Sequence, residues 1–114
     1  MNALQTTNTY NKIIRYRLDD KQYFTDLLKR ENATEQAVAE IIGDKEYFTA
    51  IFTLYGYERN GSISIDRYEL TDNNGQKISI NSLNGYEHGI IINECYRHFY
   101  GHKADLHGTF EIVA

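Results

Sequence analysis

Two segments in the first part of the chain have apolar residues at helical spacing. Apolar residues between Phe24 and Leu28 fall on one face of a helix, and Asp19 or Asp20 can accept the free amides at its start. This pattern predicts a helix over about residues 20–31. A second, short helix is predicted between an N-cap at Thr34 and a left-handed glycine stop at Gly43.

The segment Tyr10–Leu18 fits two structures. Its apolar residues alternate as in a strand, although the adjacent pair Ile13-Ile14 also suits a helix. We favour the strand and leave the helix open. Residues 1–8 are polar and are expected to fray.

From Glu46 the hydrophobic period changes to two, which is typical of strands. Asn60-Gly61 and Asn74-Gly75 are both suited to two-residue hairpin turns, so a three-stranded antiparallel β-meander is predicted. The residues expected on its apolar face are Phe52, Leu54, Ile63, Ile65, Ile78 and Ile80.

The register of the first hairpin contains a misfit, because it also points Arg67 and Glu69 toward the apolar face. Either these two residues lie at the margin of the sheet, or a β-bulge after Ile65 turns Tyr68 and Leu70 inward instead.

The C-terminal part predicts a helix over about residues 87–100 and a closing strand over residues 109–113. The helix should pack its apolar stripe on the sheet. The stripe consists of Ile92, Cys95, Tyr96, Phe99 and Tyr100. We therefore predict one α+β domain spanning residues 1–114, with N-terminal helices, a β-meander, one C-terminal helix and a last strand.

The composition limits the cellular locations and the classes of partner that are expected. The 114 residues contain one cysteine, no long apolar run and no N-terminal secretory pattern, so a cytoplasmic location without a membrane span is expected. Twelve basic and sixteen acidic residues give a net charge of −4, which disfavours nucleic acid as a partner.

One group of residues has metal-binding chemistry. Cys95, His98 and His102 recur at helical spacing, and His107 follows as a fourth candidate ligand for zinc. Against this, Gly101 is expected to end the helix before His102, and a lone cysteine in an apolar stripe is usually a core residue. No cofactor is therefore expected, and zinc is kept as an alternative.

A second group suits single-stranded nucleic acid. Lys12, Arg15 and Arg17 alternate with Tyr10 and Tyr16, and basic grooves with aromatic side chains bind such strands. Because the chain as a whole is acidic, the alternative is that these three basic side chains are simply exposed to solvent.

The third group lies on the face of the meander opposite its apolar side. Tyr55, Tyr57 and Tyr68 are predicted to gather there around Asp66, with Thr53 beside them. Aromatic residues with few lysines and glutamates are typical of interface centres. A wet sheet face, or burial under the N-terminal segment, are the alternatives.

These features lead to a functional hypothesis. No catalytic motif occurs, so we expect a non-enzymatic module that binds a protein partner, or itself, through the Tyr-rich face. By analogy with other acidic domains of this size, it could be a small inhibitor or adaptor from a phage or mobile element, such as an inhibitor of a bacterial defence nuclease. A small zinc-dependent enzyme or zinc-stabilised domain and a single-stranded nucleic-acid binder are the alternatives.

Overall fold

The structure, a computed structural model, describes residues 10–45 and 48–101 in full and residues 108–112 as backbone. The elements in chain order are β1 (Lys12–Leu18), α1 (Lys21–Arg30), α2 (Glu35–Ile41), β2 (Ala50–Arg59), β3 (Ser62–Thr71), α3 (Gly85–Phe99) and β4 (Gly108–Ile112). The predicted α+β class is confirmed. The fraying expected of residues 1–8 lies outside the described residues. Within the described ranges, no helix has the length and apolar character needed to cross a membrane.

The four strands form one antiparallel sheet in the order β3-β2-β1-β4. β1 lies between β2 and β4, since Ile14 pairs with both Leu54 and Ile112. The strand favoured for Tyr10–Leu18 is therefore confirmed, and the helical alternative is wrong.

The two N-terminal helices begin where their capping residues predict. The Asp20 carboxylate accepts the amide of Tyr23 at the start of α1, and the Thr34 hydroxyl accepts the amide of Ala37 at the start of α2. Gly43, with φ of 55°, follows the end of α2. These local hydrogen bonds need no tertiary partner, which is why the sequence reveals them.

The hairpin between β2 and β3 turns at Asn60-Gly61, and both residues have the positive φ of a type I′ turn. Glu58 pairs with Ile63 and Gly56 with Ile65, as the turn predicts. The register then shifts by one residue at Gly56, which confirms the predicted bulge after Ile65.

The bulge decides which side chains of β3 reach the core. Leu70 is buried and Tyr68 packs against the core, whereas Arg67 and Glu69 lie on the opposite face. The apolar face predicted for the hairpin is present: Phe52, Leu54 and Ile63 are buried, and Ile65 packs at the margin of the core.

The third strand of the predicted meander does not form as a regular strand. Across the turn at Asn74-Gly75, the described contacts include an isolated bridge between Thr71 and Lys77. The Asp72 amide also donates to the Gln76 carbonyl, and the Ile78 amide donates to the Leu70 carbonyl. The Asp72 carboxylate accepts the amides of Asn74 and Gln76, which holds a wider loop than a two-residue turn. Ile78 is nevertheless buried and Ile80 packs against the core, as expected.

α1 and α3 pack against the same face of the sheet, and Ala37 and Ile41 of α2 are buried in the same hydrophobic core. Phe24 of α1 contacts Phe52 edge to face, and the ring of His98 on α3 stacks on Tyr16 of β1. The predicted stripe of α3 is rotated: Cys95 is buried, but Tyr100 is half exposed and the polar residues Glu94 and His98 are buried instead. The prediction failed because it admitted only apolar residues to the buried side.

Candidate functional site

The sheet face opposite the helices, called the outer face below, carries the candidate binding surface. Among the described residues, no helix or loop covers it. The side chains that β1, β2 and β3 place there include Ile13, Arg15, Arg17, Ile51, Thr53, Tyr55, Tyr57, Ser64, Arg67, Glu69 and Thr71, with Tyr10 and Asp66 beside them.

Three tyrosines form a cluster on the outer face. The ring centroid of Tyr10 lies 5.7 Å from that of Tyr55 and 5.4 Å from that of Tyr57. Tyr57 is 40% exposed, whereas Tyr55 is half-buried by its neighbours. Rings at these separations stabilise one another and hold the cluster in a fixed shape.

Arg67 completes the cluster. Its guanidinium carbon lies 4.1 Å from the ring centroid of Tyr55 and 6.0 Å from that of Tyr10, which are cation–π distances. A shallow depression of about 490 Å³ is lined by these residues and Ile13. The aromatic and cationic groups therefore meet at one accessible place.

Asp66 and Glu69 of the outer face accept hydrogen bonds from other side chains of the same face. The Tyr10 hydroxyl donates to Asp66 at 3.0 Å, and Glu69 accepts from the Tyr55 hydroxyl and from Arg67, each at 3.2 Å. The hydrogen bond to Asp66 raises the pKa of Tyr10, and burial followed by the charge of Glu69 raises the pKa of Tyr55. Both phenols therefore remain protonated donors at neutral pH.

The structure brings together most of the predicted interface residues, but not all of them. Tyr55, Tyr57, Thr53 and Asp66 share the outer face, as predicted. The predicted place of Tyr68 is wrong. The bulge turns it toward the helices, where its hydroxyl lies 2.6 Å from Nδ1 of His88 on α3.

The three predicted basic residues are separated. Arg15 and Arg17 pair with Thr53 and Ile51, so they lie on the outer face. Lys12 pairs with Gly56 on the other face, and its Nζ forms a 3.0 Å ion pair with Glu58. Sequence reasoning missed Tyr10 and Arg67 as members of the surface, because their places depend on the pairing of β1 and on the bulge.

A buried polar cluster lies on the helix side of the sheet, and it was also missed. Glu94 and His98 are 6% and 4% exposed, and Nε2 of His98 lies 2.6 Å from Oε2 of Glu94 and 3.0 Å from the Tyr16 hydroxyl. The Tyr23 hydroxyl donates to Glu94, and Arg97 donates to both Glu94 and Tyr23. The available signal was the spacing: Glu94 and His98 are four residues apart and adjoin the core residues Ile91 and Cys95 on the helix, so both face the core.

The ionisation of the cluster follows from these contacts. Burial raises the pKa of Glu94, but hydrogen bonds from His98 and Tyr23 and the charges around it outweigh burial, so the net pKa is lowered. Burial raises the pKa of Tyr23 to about 12. Glu94 is therefore an anion surrounded by donors. A groove of about 350 Å³ between α1 and α3 borders Glu94 and Arg97.

The proposed zinc ligands are only partly described. Cys95 is 1% exposed, burial raises the pKa of its thiol, and His98 is engaged by Glu94 and Tyr16. His102 and His107 lie outside the described residues. Within the described part of the chain, no three His, Cys, Asp or Glu side chains converge as metal ligands.

In comparisons with protein-family models, curated proteins and solved structures, none matches this chain.

Proposed function

We propose that this chain is a non-enzymatic protein-binding module that engages its partner through the outer face. The observation that carries the proposal is the arginine–tyrosine cluster, in which Arg67 stacks on Tyr55 beside Tyr10 and Tyr57, on a sheet face that none of the described helices covers. Tyr and Arg are enriched among the residues that contribute most to protein–protein binding.

The order of the cluster supports binding over simple solvation. A wet face of an antiparallel sheet needs only polar side chains, whereas here the rings of Tyr10 and Tyr55 and the guanidinium of Arg67 are packed on one another. Side chains that are already ordered lose little conformational entropy when a partner binds.

The more specific role that we propose for this module is that of an inhibitor or adaptor. A small acidic domain without a catalytic motif can act by covering a working surface of its target. Proteins of this type are carried by phages and mobile elements, where bacterial defence nucleases are one class of target. This step rests on size and composition.

The experiment compares partner capture by three forms of the protein from a lysate of its natural host. The forms are the native chain, a Tyr55→Ala, Tyr57→Ala double variant and a Tyr86→Ala control. Tyr86 is 60% exposed on α3, so its loss removes an exposed ring away from the outer face. A partner that binds the outer face should be lost by the double variant, about thirtyfold in affinity or more, and kept by the control.

The melting temperature of each form is measured in parallel. Capture that is unchanged in a folded double variant would discard the outer face as the binding site. A collapsed melt would assign Tyr55 to the core, and Tyr57→Ala alone would then be compared with the control. Nuclease treatment of the lysate tests the nucleic-acid alternative, which the presence of Arg15 and Arg17 on this face keeps open.

A further inference from the structure

β3 is an outer strand of the sheet, so one of its edges has no neighbour among the described strands. Backbone amides and carbonyls on such an edge form a template on which another strand can pair. In the first half of β3, the amides of Ile63 and Ile65 are both occupied by side chains of α3. The Ile63 amide donates to the Tyr100 hydroxyl at 2.9 Å, and the Ile65 amide donates to the Tyr96 hydroxyl at 2.8 Å.

The two hydroxyls have the spacing of acceptors on an added strand. Tyr96 and Tyr100 are one helical turn apart, and their rings stack with a centroid distance of 6.2 Å and an interplanar angle of 12°. Alternate residues of a strand are separated by a similar distance, about 6.6–6.8 Å. The hydroxyls therefore lie where the carbonyl oxygens of a paired strand would accept the same amides.

The rest of this edge is protected in other ways. Toward the end of β3, the Leu70 carbonyl accepts the Ile78 amide, so the chain covers its own edge there. In the middle, Asp66 is the extra residue of the bulge, and both bulges and charged side chains discourage strand pairing. The stretch Ser62–Ile65 precedes the bulge and has no charged side chain. It is the stretch that the two tyrosines occupy.

The stretch Ser62–Ile65 is complementary to a second copy of itself. An antiparallel pair that uses the amides of Ile63 and Ile65 places Ile63 opposite Ile65 of the other copy, and Ser64 opposite Ser64. Cross-strand pairs of β-branched side chains stabilise a sheet. Within this stretch no like charges meet, so the side chains do not oppose the pairing.

We infer that the edge of β3 at Ser62–Ile65 is a pairing surface for a second copy of this chain, which the hydroxyls of Tyr96 and Tyr100 keep closed. Pairing requires each copy to release two hydroxyl–amide bonds, four in all. Tyr100 lies at the C-cap of α3 and is 50% exposed, so its ring has room to turn into solvent. Removing the two hydroxyls removes the cost of opening this edge.

The test uses a Tyr96→Phe, Tyr100→Phe double variant, which loses both hydroxyls and keeps both rings. Tyr86→Phe is the matched control, because Tyr86 lies in the first turn of α3 and is 60% exposed. Sedimentation velocity between about 20 µM and about 1 mM protein measures dimerisation. The double variant should dimerise about thirtyfold or more tightly than the native chain and the control, because no hydroxyl–amide bond has to break.

Amide hydrogen exchange shows where the two copies meet. At the low concentration, the Ile63 and Ile65 amides of the double variant should exchange severalfold faster than in the native chain, because they have lost their acceptors. At the high concentration, they should regain protection from the second copy. Adding Ser64→Lys to the double variant should restore the monomer, because two lysines would then face each other across the pair.

A folded double variant that stays monomeric at about 1 mM overturns the inference. A dimer that Ser64→Lys leaves intact, or that does not protect Ile63 and Ile65, also overturns it, since the copies then meet elsewhere. So does a native chain that dimerises through these two amides, because the hydroxyls would not keep the edge closed. If the double variant does not fold, Tyr100→Phe alone is compared with Tyr86→Phe by the same two measurements, with the same expected direction.

Discussion

His98 and Glu94 form a contact of 2.6 Å between Nε2 and Oε2, one helical turn apart on the buried side of α3. A carboxylate can only accept, so Nε2 of His98 carries the proton in this contact. The same carboxylate also accepts from Tyr23 and Arg97, which join α1 to α3. Glu94 is thus an acceptor shared by His98, Tyr23 and Arg97.

The first prediction concerns this acceptor. Glu94→Ala should lower the free energy of unfolding by about 3–5 kcal/mol, because it removes the carboxylate that accepts from the buried His98 and the half-buried Tyr23. Glu31→Ala removes an exposed carboxylate next to the end of α1 and should change stability by less than about 0.5 kcal/mol. Urea unfolding of both variants gives the comparison. An equal, small effect for both would show that the cluster does not stabilise the fold.

The second prediction is a loss of stability in acid. The pKa values of Glu94 and Glu87 are lowered in the folded protein. Glu87 accepts the backbone amides of Thr34 and Asn84. In the unfolded chain, the pKa of a glutamate is about 4.3. A carboxyl whose pKa is lower in the folded protein binds fewer protons there than in the unfolded chain at pH values near these pKa values. Its contribution is therefore complete above the unfolded pKa and is lost as the pH falls through the folded pKa.

The measurement is the melting temperature between pH 7 and pH 3. It should stay nearly constant down to about pH 5 and then fall. Glu87→Gln should melt at a lower temperature at pH 7 and fall less steeply below pH 5, because one of the linked groups has been removed. A native protein whose melting temperature rises between pH 5 and pH 3 would contradict the prediction.

The parts of the fold that sequence could reveal depend on local interactions. The Asn60-Gly61 turn and the caps at Asp20 and Thr34 are determined by residues within a few positions of one another. Tyr68 was misplaced because a single bulge reverses the face of the residues that follow it. Asn74-Gly75 resembles the first turn, but the Asp72 side chain organises a wider loop there.

The candidate site was also predicted only in part. Alternation within β2 put Tyr55 and Tyr57 on one face, which the structure bears out. Tyr10 and Arg67 contact Tyr55 only because β1, β2 and β3 pair with one another. The hydrophobic pattern within each strand does not show which strands pair. The pair of Glu94 and His98 was missed for a different reason: ionisable residues can be placed in a core only when their hydrogen-bond partners are known.

The third prediction contrasts two glycines. A Cβ at Gly56 would overlap the carbonyl oxygen of Ser64 across the hairpin, whereas a Cβ at Gly89 meets no atom within 4 Å. Gly56→Ala should therefore destabilise the protein, by about 1–3 kcal/mol, because the strands must separate next to the bulge. Gly89→Ala lies inside α3 and should stabilise it by about 0.5–1 kcal/mol.

Thermal melts of the two variants at one pH decide this prediction. The two single-methyl additions should shift the midpoint in opposite directions, so neither hydrophobicity nor helix propensity alone can account for the pair. A neutral result at Gly56 would mean that β2 and β3 are farther apart there than the structure has them.

The fourth prediction addresses zinc. A thiol binds zinc as a thiolate, but the Cys95 thiol is 1% exposed and burial raises its pKa. His98 would also have to leave Glu94 and Tyr16 to present Nε2 to a metal, which would leave the Glu94 anion with fewer donors in the core. We therefore expect purified protein to contain much less than one zinc per chain. We also expect its melting temperature to be unchanged by zinc or by a chelator.

Elemental analysis and melts with and without zinc test this directly, and Cys95→Ala provides the control. In a metal-free protein, this variant should be destabilised equally in zinc and in chelator, because it loses only the packing of a buried side chain. Near-stoichiometric zinc, together with a chelator effect that disappears in Cys95→Ala, would instead establish a metal site and would require the surroundings of His98 to rearrange. That result would make the zinc-dependent function the one to pursue, because a bound metal is linked to folding and would bring Cys95 and His98 into the chemistry of the protein.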